Sequence, residues 1–298
     1  MRIERKATLI ATFVALVLAI VKVIVGFLSG SVAVIASALD SILDMIVSIF
    51  NSVALKVSET KPNSKFNYGK GKIEGIAALF EGLFIISSGI FIIYEAFNKF
   101  IHKEVITHFD ISIYVMIFSV FMTLGLVLFL NFVYKKTSNL VIKSDLLHYK
   151  TDLFTNGAVL ISLIIVKFTG YYFIDYILSV FIGIYIIKEA SEIVKEGFEI
   201  LLDISLDFQT VEKIKEIIKK EPLVIDYHCL RTRKAGNRYF VDVHLVLTPD
   251  MKLQTAHTIV ERVEEKIRNI NKDVKWIINI HADPYDDSYV NKILEECD

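Results

Sequence analysis

What this sequence lacks is polar surface and punctuation. Only 4 Pro interrupt its 298 residues, 54% of which are hydrophobic, and the mean hydropathy is +0.52. A soluble domain needs more polar residues than that, so a wholly soluble protein is excluded. Basic tracts are missing too. The formal net charge is −1 and no run of Lys and Arg stands out, so nothing points to nucleic acid as a partner. Two cysteines, Cys229 and Cys297, are too few for a disulfide framework.

What is there instead is a series of apolar runs of about 20 residues, the length that crosses a hydrocarbon layer. Six are read, at roughly 7–29, 32–55, 76–98, 110–134, 145–168 and 172–192. The basic N-terminus (Arg2, Arg5, Lys6) and first run could be mistaken for a signal peptide. The run is too long for one, and no small-residue cleavage site precedes Gly30-Ser31, so a retained first span is expected. Lys22, near the far end of that span, is read as snorkelling to the interface.

Orientation follows from the loops. Lys56, Lys61, Lys65, Lys70 and Lys72 fall between spans two and three, and Lys135, Lys136 and Lys143 between four and five. The other loops offer Lys99, Lys103 and Lys167, so both termini are placed in the cytoplasm. There both cysteines are expected as free thiols. From about residue 205 the sequence turns charged and ordinary, which gives a membrane domain, 1–204, and a soluble domain, 205–298.

The second span carries Ser37, Asp40, Ser41, Asp44, Ser48 and Asn51 at three- and four-residue steps. On a helix these form one polar stripe, with Asp40 and Asp44 about 6 Å apart. The fifth span repeats the design with Asp145, His148, Asp152 and Asn156. A charge at mid-membrane costs about 2.5–3.5 kcal/mol even on the lenient scale. Neither stripe holds a Lys or Arg placed to neutralise its partners. A divalent cation would, since Asp40 and Asp44 with His148 and Asp152 make four ligands, enough for a tetrahedral site. Protonated or water-facing residues tying helices together would explain one such Asp, but not two paired stripes. Glu81, Glu95 and Asp175 could line an aqueous cavity or an interface. Ser87, Ser88, Gly89 and Gly183 are assigned to close helix packing.

In the soluble part, 208–220 and 252–270 have helical apolar spacing. Residues 224–233 and 238–247 read as strands of a hairpin across Lys234 to Asn237, and 274–281 as a last strand. The order α-β-β-α-β gives a small α+β sandwich with helices on one sheet face. A hairpin centred on Gly236 puts His228 opposite His244. His281 and Asp283 share a face if the strand continues through them, and His257 flanks the apolar stripe of its helix.

At Asp40-x3-Asp44 and His148-x3-Asp152 the sequence resembles the cation diffusion facilitator family of metal/proton antiporters. The strings Leu39 to Asp44 (LDSILD), Tyr68 to Glu74 (YGKGKIE) and Asp145 to Asp152 (DLLHYKTD) match its pattern. The likeness covers essentially the whole chain and is nearest to the bacterial zinc/ferrous-iron efflux subgroup. It implies a six-helix α-helical membrane protein of the inner (plasma) membrane with a cytoplasmic, metallochaperone-like dimerisation domain. It further implies a transport site of Asp40, Asp44, His148 and Asp152, and a binuclear site from His228, His244, His257, His281 and Asp283. Lys72 and Asp203 match a pair that ties the membrane halves of a homodimer. The loop site that many relatives have between spans two and three is expected to be absent, its positions being Asn63, Phe66 and Lys70. A histidine-rich loop between spans four and five is missing as well.

The expected function is export of Zn(II), or of Fe(II), Cd(II) or Co(II), in exchange for protons across the bilayer, with no enzymatic activity and no resident cofactor beyond structural metal. The resemblance associates His at position 148 with zinc or iron, and Asp there with manganese. A manganese exporter, an intramembrane hydrolase using Asp40 and Asp44, and a membrane-anchored metal sensor are the competing readings. A hydrolase would keep an open ligand position, and an anchor would need no polar stripes.

Overall fold

A computed structural model describes residues 3–29, 32–102, 110–169 and 173–289. The chain divides into two compact units, Met1–Phe198 and Glu199–Asp298. Among the described residues six long helices precede the tail: α1 (Ile3–Ser29), α2 (Val32–Ser58), α3 (Ile73–His102), α4 (Asp110–Thr137), α5 (Leu140–Thr169) and α6 (Phe173–Leu201). The shortest has 27 residues, about 40 Å at 1.5 Å per residue, which exceeds the hydrocarbon thickness. Among the described residues, four stretches are apolar enough to cross a membrane: Ile3–Val25, Ala38–Ser58, Ile73–Asn98 and Ile117–Thr137. In the second half of α5 and the start of α6 most side chains lie outside the described residues, Asp175 among them.

The membrane unit reverses the size order of a soluble core. Its interior is built on small residues, Ala7, Ala11, Ala54 and Ala77, with Leu130, Val133 and Ile142 between them. Phe13, Phe80, Phe91 and Phe121 face outward, each more than 60% exposed. Lipid solvates large apolar side chains, whereas close helix contact needs small ones. Gly89 and Gly183 do what their sequence context suggests. A Cβ on Gly183 would lie 3.0 Å from the Gly89 carbonyl oxygen, so α3 and α6 approach almost backbone to backbone.

The second unit contains α7 (Phe208–Lys219), β1 (Asp226–Ala235), β2 (Arg238–Val246), α8 (Leu253–Arg268) and β3 (Lys275–Asp283), the expected order. β2 is central, antiparallel to β1 and parallel to β3. Ile214 and Ile218 of α7, and Ile259, Val263 and Ile267 of α8, recur every four residues and are fully buried. They pack on Val241, Val243 and Leu245, alternate residues of β2, with Trp276 of β3. One face of the sheet is thus covered by helices. The other carries Asp242 and His244 of β2, and Asn279, His281 and Asp283 of β3.

The hairpin differs from expectation in an instructive way. Its turn is the two residues Gly236 and Asn237, with Ala235 opposite Arg238. Gly236 has φ 58°, as a type II′ turn requires at its first central position. Continued without interruption, that register would set His228 opposite Leu245. A bulge between His228 and Arg231 shifts it by one residue and brings His228 opposite His244. Cys229 sits in the bulge with φ 51°, a left-handed conformation unusual for a residue with a Cβ.

Cys229 also corrects an expectation: it is disulfide-bonded, not a free thiol. The chain after β3 folds back over this part of β1, with Asp287 3.2 Å from His228, while Cys297 lies outside the described residues.

α7 is capped by Asp207, whose carboxylate accepts the Thr210 backbone N–H at 2.9 Å. Partial burial pushes the Asp207 carboxyl up, but the hydrogen bonds from Thr210 and the neighbouring backbone outweigh it and hold the group below the ordinary carboxylate range. A depressed carboxylate stabilises the fold above its unfolded pKa and loses that contribution as pH falls. Asp207→Ala should therefore cost the tail about 1 kcal/mol at neutral pH. The difference from wild type should shrink below about pH 4. Denaturant unfolding followed by the fluorescence of Trp276, the single tryptophan, checks both.

Candidate metal centre

Within the membrane unit the polar stripes of α2 and α5 meet as a ladder. His148 Nε2 lies 3.0 Å from Asp44 Oδ1. The Ser48 and Tyr149 hydroxyls are 2.7 Å apart. Asn51 Nδ2 donates to Asp145 Oδ1 at 2.9 Å. Asp44, His148 and Asp152 bring one donor atom each to within 4.8 Å of one another, close enough for a single ion to bridge. They line a cavity of about 480 Å³ together with Asp40 and Asn156. The structure thus unites three of the four expected transport ligands and places the fourth, Asp40, on the same cavity wall.

Lys22 does not snorkel. It is buried, donates to Ser41 Oγ at 2.8 Å and lines the same cavity. An interfacial reading treats α1 as a lone helix. Packed against α2, its lysine reaches the carboxylate-lined cavity before it reaches a headgroup. With His148 neutral and all three carboxyls ionised, as metal binding requires, three carboxylates against one ammonium sum to two negative charges, the complement of one divalent cation.

Asp145 leaves the α5 stripe for another network. Asn51 Nδ2 bridges it to Glu81 Oε2, 2.8 Å away, and the Ser144 hydroxyl also bonds Glu81. At the ends of these helices Glu74 accepts from the Ser58 hydroxyl at 2.6 Å and from Asn139 Nδ2 at 2.8 Å, which fastens α2, α3 and the start of α5 together.

In the tail unit the helix-free face gathers His228, His244, His281 and Asp283. The His228 and His244 rings are 4.9 Å apart and those of His244 and His281 4.7 Å. The Asp283 carboxylate lies 2.9 Å from His244 Nδ1, 3.3 Å from His281 Nε2 and 3.4 Å from His228 Nε2. Asp287, not singled out in the sequence, joins them beside His228; it follows the strand, where no periodicity could flag it. One donor each from His228, His244, Asp283 and Asp287 falls within 4.8 Å. His228 Nε2 is buried and lies 3.2 Å from Asp287 Oδ1 and 3.4 Å from Asp283 Oδ2. Histidine and carboxylate donors suit Zn(II) and its neighbours.

His257 is not part of this cluster. It projects from α8, which covers the opposite face of the sheet, and is 68% exposed with Glu261 3.4 Å away. The first-loop positions are otherwise engaged. Asn63 Oδ1 accepts the backbone N–H groups of Lys65 and Phe66, and the Lys70 ammonium stands 4.8 Å over the Phe66 ring. Asp203 accepts from Arg233 at 3.1 Å within the tail unit, whereas Lys72 belongs to the membrane unit.

Comparison with known proteins agrees with this arrangement. Residues 8–202 match the cation efflux transmembrane domain, and residues 206–285 the cytoplasmic domain of cation efflux proteins. The chain belongs to the cation efflux family. It is 32% identical over 236 residues to the cation-efflux pump FieF of Shewanella oneidensis, 79% of each chain. It is 34% identical to FieF of Yersinia pestis over 78% of this chain and 77% of that one. The tail is also similar to the metal-bound C-terminal domain of the CzcD transporter from Thermotoga maritima. There the identity is 21% over 26% of this chain and 87% of that one, with a TM-score of 0.24. As a cation efflux protein of the zinc/iron subgroup, the chain is a multi-pass inner-membrane metal transporter with a cytoplasmic C-terminal domain.

The Lys22 ammonium opposes any cation entering the cavity. Lys22→Met should therefore tighten metal binding roughly tenfold, the effect of about 1.4 kcal/mol of relieved repulsion. Titration calorimetry of the detergent-solubilised protein with Zn(II) measures this directly, and weaker binding would mean that Lys22 is needed to shape the site.

Proposed function

We propose that this cation efflux protein exports Zn(II), with Fe(II), Cd(II) and Co(II) as further substrates, in exchange for protons. The observation that carries the reading is the Asp44, His148 and Asp152 cluster in a cavity whose fixed charges leave room for one divalent cation. An imidazole nitrogen must be free of its proton to bind metal, so the site holds either a cation or protons. Alternating exposure of such a site to the two sides couples the flows. Asp40 completes the coordination sphere as the fourth ligand when the cavity closes on the ion. One nitrogen and three oxygen donors fit the borderline metals named and leave the choice among them to availability.

The membrane unit, residues 1–204, spans the bilayer six times in this reading, and residues 205–298 form a homodimer in the cytoplasm. The tail site is structural. His228, His244, His281, Asp283 and Asp287 come from two strands of a hairpin, a third strand and the segment after it, so only the folded tail presents them together. Lys72 and Asp203 serve the dimer contact implied by the resemblance.

Two outcomes follow. Asp44→Ala and Asp152→Ala should each abolish zinc uptake into proteoliposomes while the protein still elutes as a folded species; sustained uptake by both would remove the transport assignment. Zinc should also raise the denaturation midpoint reported by Trp276, since a ligand at a hundred times its Kd stabilises the form that binds it by about 2.7 kcal/mol. His244→Ala should erase that response, and acidification should weaken it as protons compete for imidazole. A midpoint indifferent to zinc at neutral pH would mean that the tail cluster is a set of solvated histidines.

A further inference from the structure

One step from the cavity, the Asn51, Glu81 and Asp145 network has more acceptors than donors. All three residues are at most 2% exposed. The Asn51 amide gives its two hydrogens to Glu81 Oε2 and Asp145 Oδ1. The Ser144 hydroxyl has one hydrogen, contested between Glu81 Oε2 and the Val141 carbonyl oxygen 3.0 Å away. Three buried oxygens then remain without any hydrogen-bond partner: Asn51 Oδ1, Glu81 Oε1 and Asp145 Oδ2. Among the described residues, no Lys or Arg hydrogen-bonds either carboxylate. Two carboxyl groups from different helices, sharing one amide and holding more acceptors than donors, with His148 as the neighbouring basic group, are costly in an apolar interior unless something else is bound.

We propose that Glu81 and Asp145, bridged by Asn51, form a proton-carrying site of the transporter, distinct from the metal-binding cavity. An added proton supplies a donor for an orphaned oxygen and neutralises one of the two carboxylates. A metal cation is disfavoured by access. None of Asn51, Glu81, Ser144 and Asp145 lines the cavity. On α2, Ser48 lies between Asp44 and Asn51, and its hydroxyl is 2.7 Å from that of Tyr149, which lines the cavity; either oxygen of the pair can donate. A proton can pass such a pair by reversal of its hydrogen bonds, whereas a metal ion cannot. Around the pair, α5 presents the titratable groups His148 and Tyr149, α2 presents Asn51 and Ser48, and α1 the Ala11 carbonyl oxygen behind Tyr149. Among the described residues, no charged group of α1, α4 or α6 acts on the two carboxyls.

The proposal rests on the proton-exchange reading above and assigns one of the exchanged protons to named atoms. It separates metal handling, which belongs to Asp44, His148 and Asp152, from part of the proton handling. Metal-for-metal exchange needs only the first, whereas response to a pH gradient needs both.

The test uses the full-length protein in proteoliposomes with Zn(II) as probe. Wild type, Glu81→Gln and Asp145→Asn are compared in two assays: exchange of labelled zinc at equal pH, and net zinc uptake into vesicles with an acidic lumen. The amides keep the shape and the hydrogen bonds but cannot take up a proton. The expected result is that both variants still exchange labelled zinc, lose the stimulation by the acidic lumen, and release fewer protons per zinc taken up to a lumenal pH dye. Variants stimulated like wild type would overturn the proposal and leave the antiport reading standing. Loss of exchange together with stimulation would assign the network to folding and overturn it as well. A wild type indifferent to the gradient would overturn the antiport reading, and this proposal with it.

Discussion

Charge buried in an apolar medium must be neutralised locally, and the membrane unit is organised around that requirement. Its polar atoms fall on the two helix faces that meet, α2 and α5, so that Asp44 finds His148, Ser48 finds Tyr149 and Asn51 finds Asp145. A third helix closes each group: α1 brings Lys22 to the cavity, and α3 brings Glu81 to the Asn51 amide. What hydrogen bonds leave unbalanced is then a short, nameable set of oxygens and charges. Small residues in the interior and phenylalanines on the outside follow from the same requirement, since close helix approach is what allows short polar side chains to reach one another.

The tail solves a different problem with the two faces of one sheet. Helices α7 and α8 cover the residues of one parity on β2, and the histidine and carboxylate residues have the other. The stability of the unit and its metal chemistry therefore draw on different residues. Removal of His244 leaves the packing of Val243 and Leu245 untouched, and shortening Ile259 or Val263 would loosen the core without touching a ligand.

Much of this was legible in the sequence because it rests on spacing. Four-residue steps picked out the side chains that meet in the α2–α5 cavity, and two-residue steps the helix-free face of the tail. What spacing cannot show is which helix stands next to which. Lys22 looked like an interfacial lysine because its neighbours on α2 were unknown. Asp145 looked like a member of the metal stripe because Glu81 lies 64 positions earlier in the chain and on another helix. His257 has the right chemistry, but the amphipathic stripe that places α8 against the sheet also holds it on the wrong side. Asp287 lies beyond the last strand, where the return of the chain over β1 decides its position. Compartment reasoning pointed to a free Cys229, which the structure holds in a disulfide.

The bulge in β1 bears on more than the pairing of two histidines. In the unbulged register Tyr227 would leave the core and His228 would enter it, trading an apolar contact for a desolvated imidazole. Hydrophobic burial therefore selects the same register that sets the His228 and His244 imidazoles side by side. The energy that orients His228 toward His244 comes from folding, so the cluster is preorganised by the packing of the strand and not by anything it binds. The left-handed backbone at Cys229 is the local strain that accompanies this arrangement, held by the packing of the strand on either side.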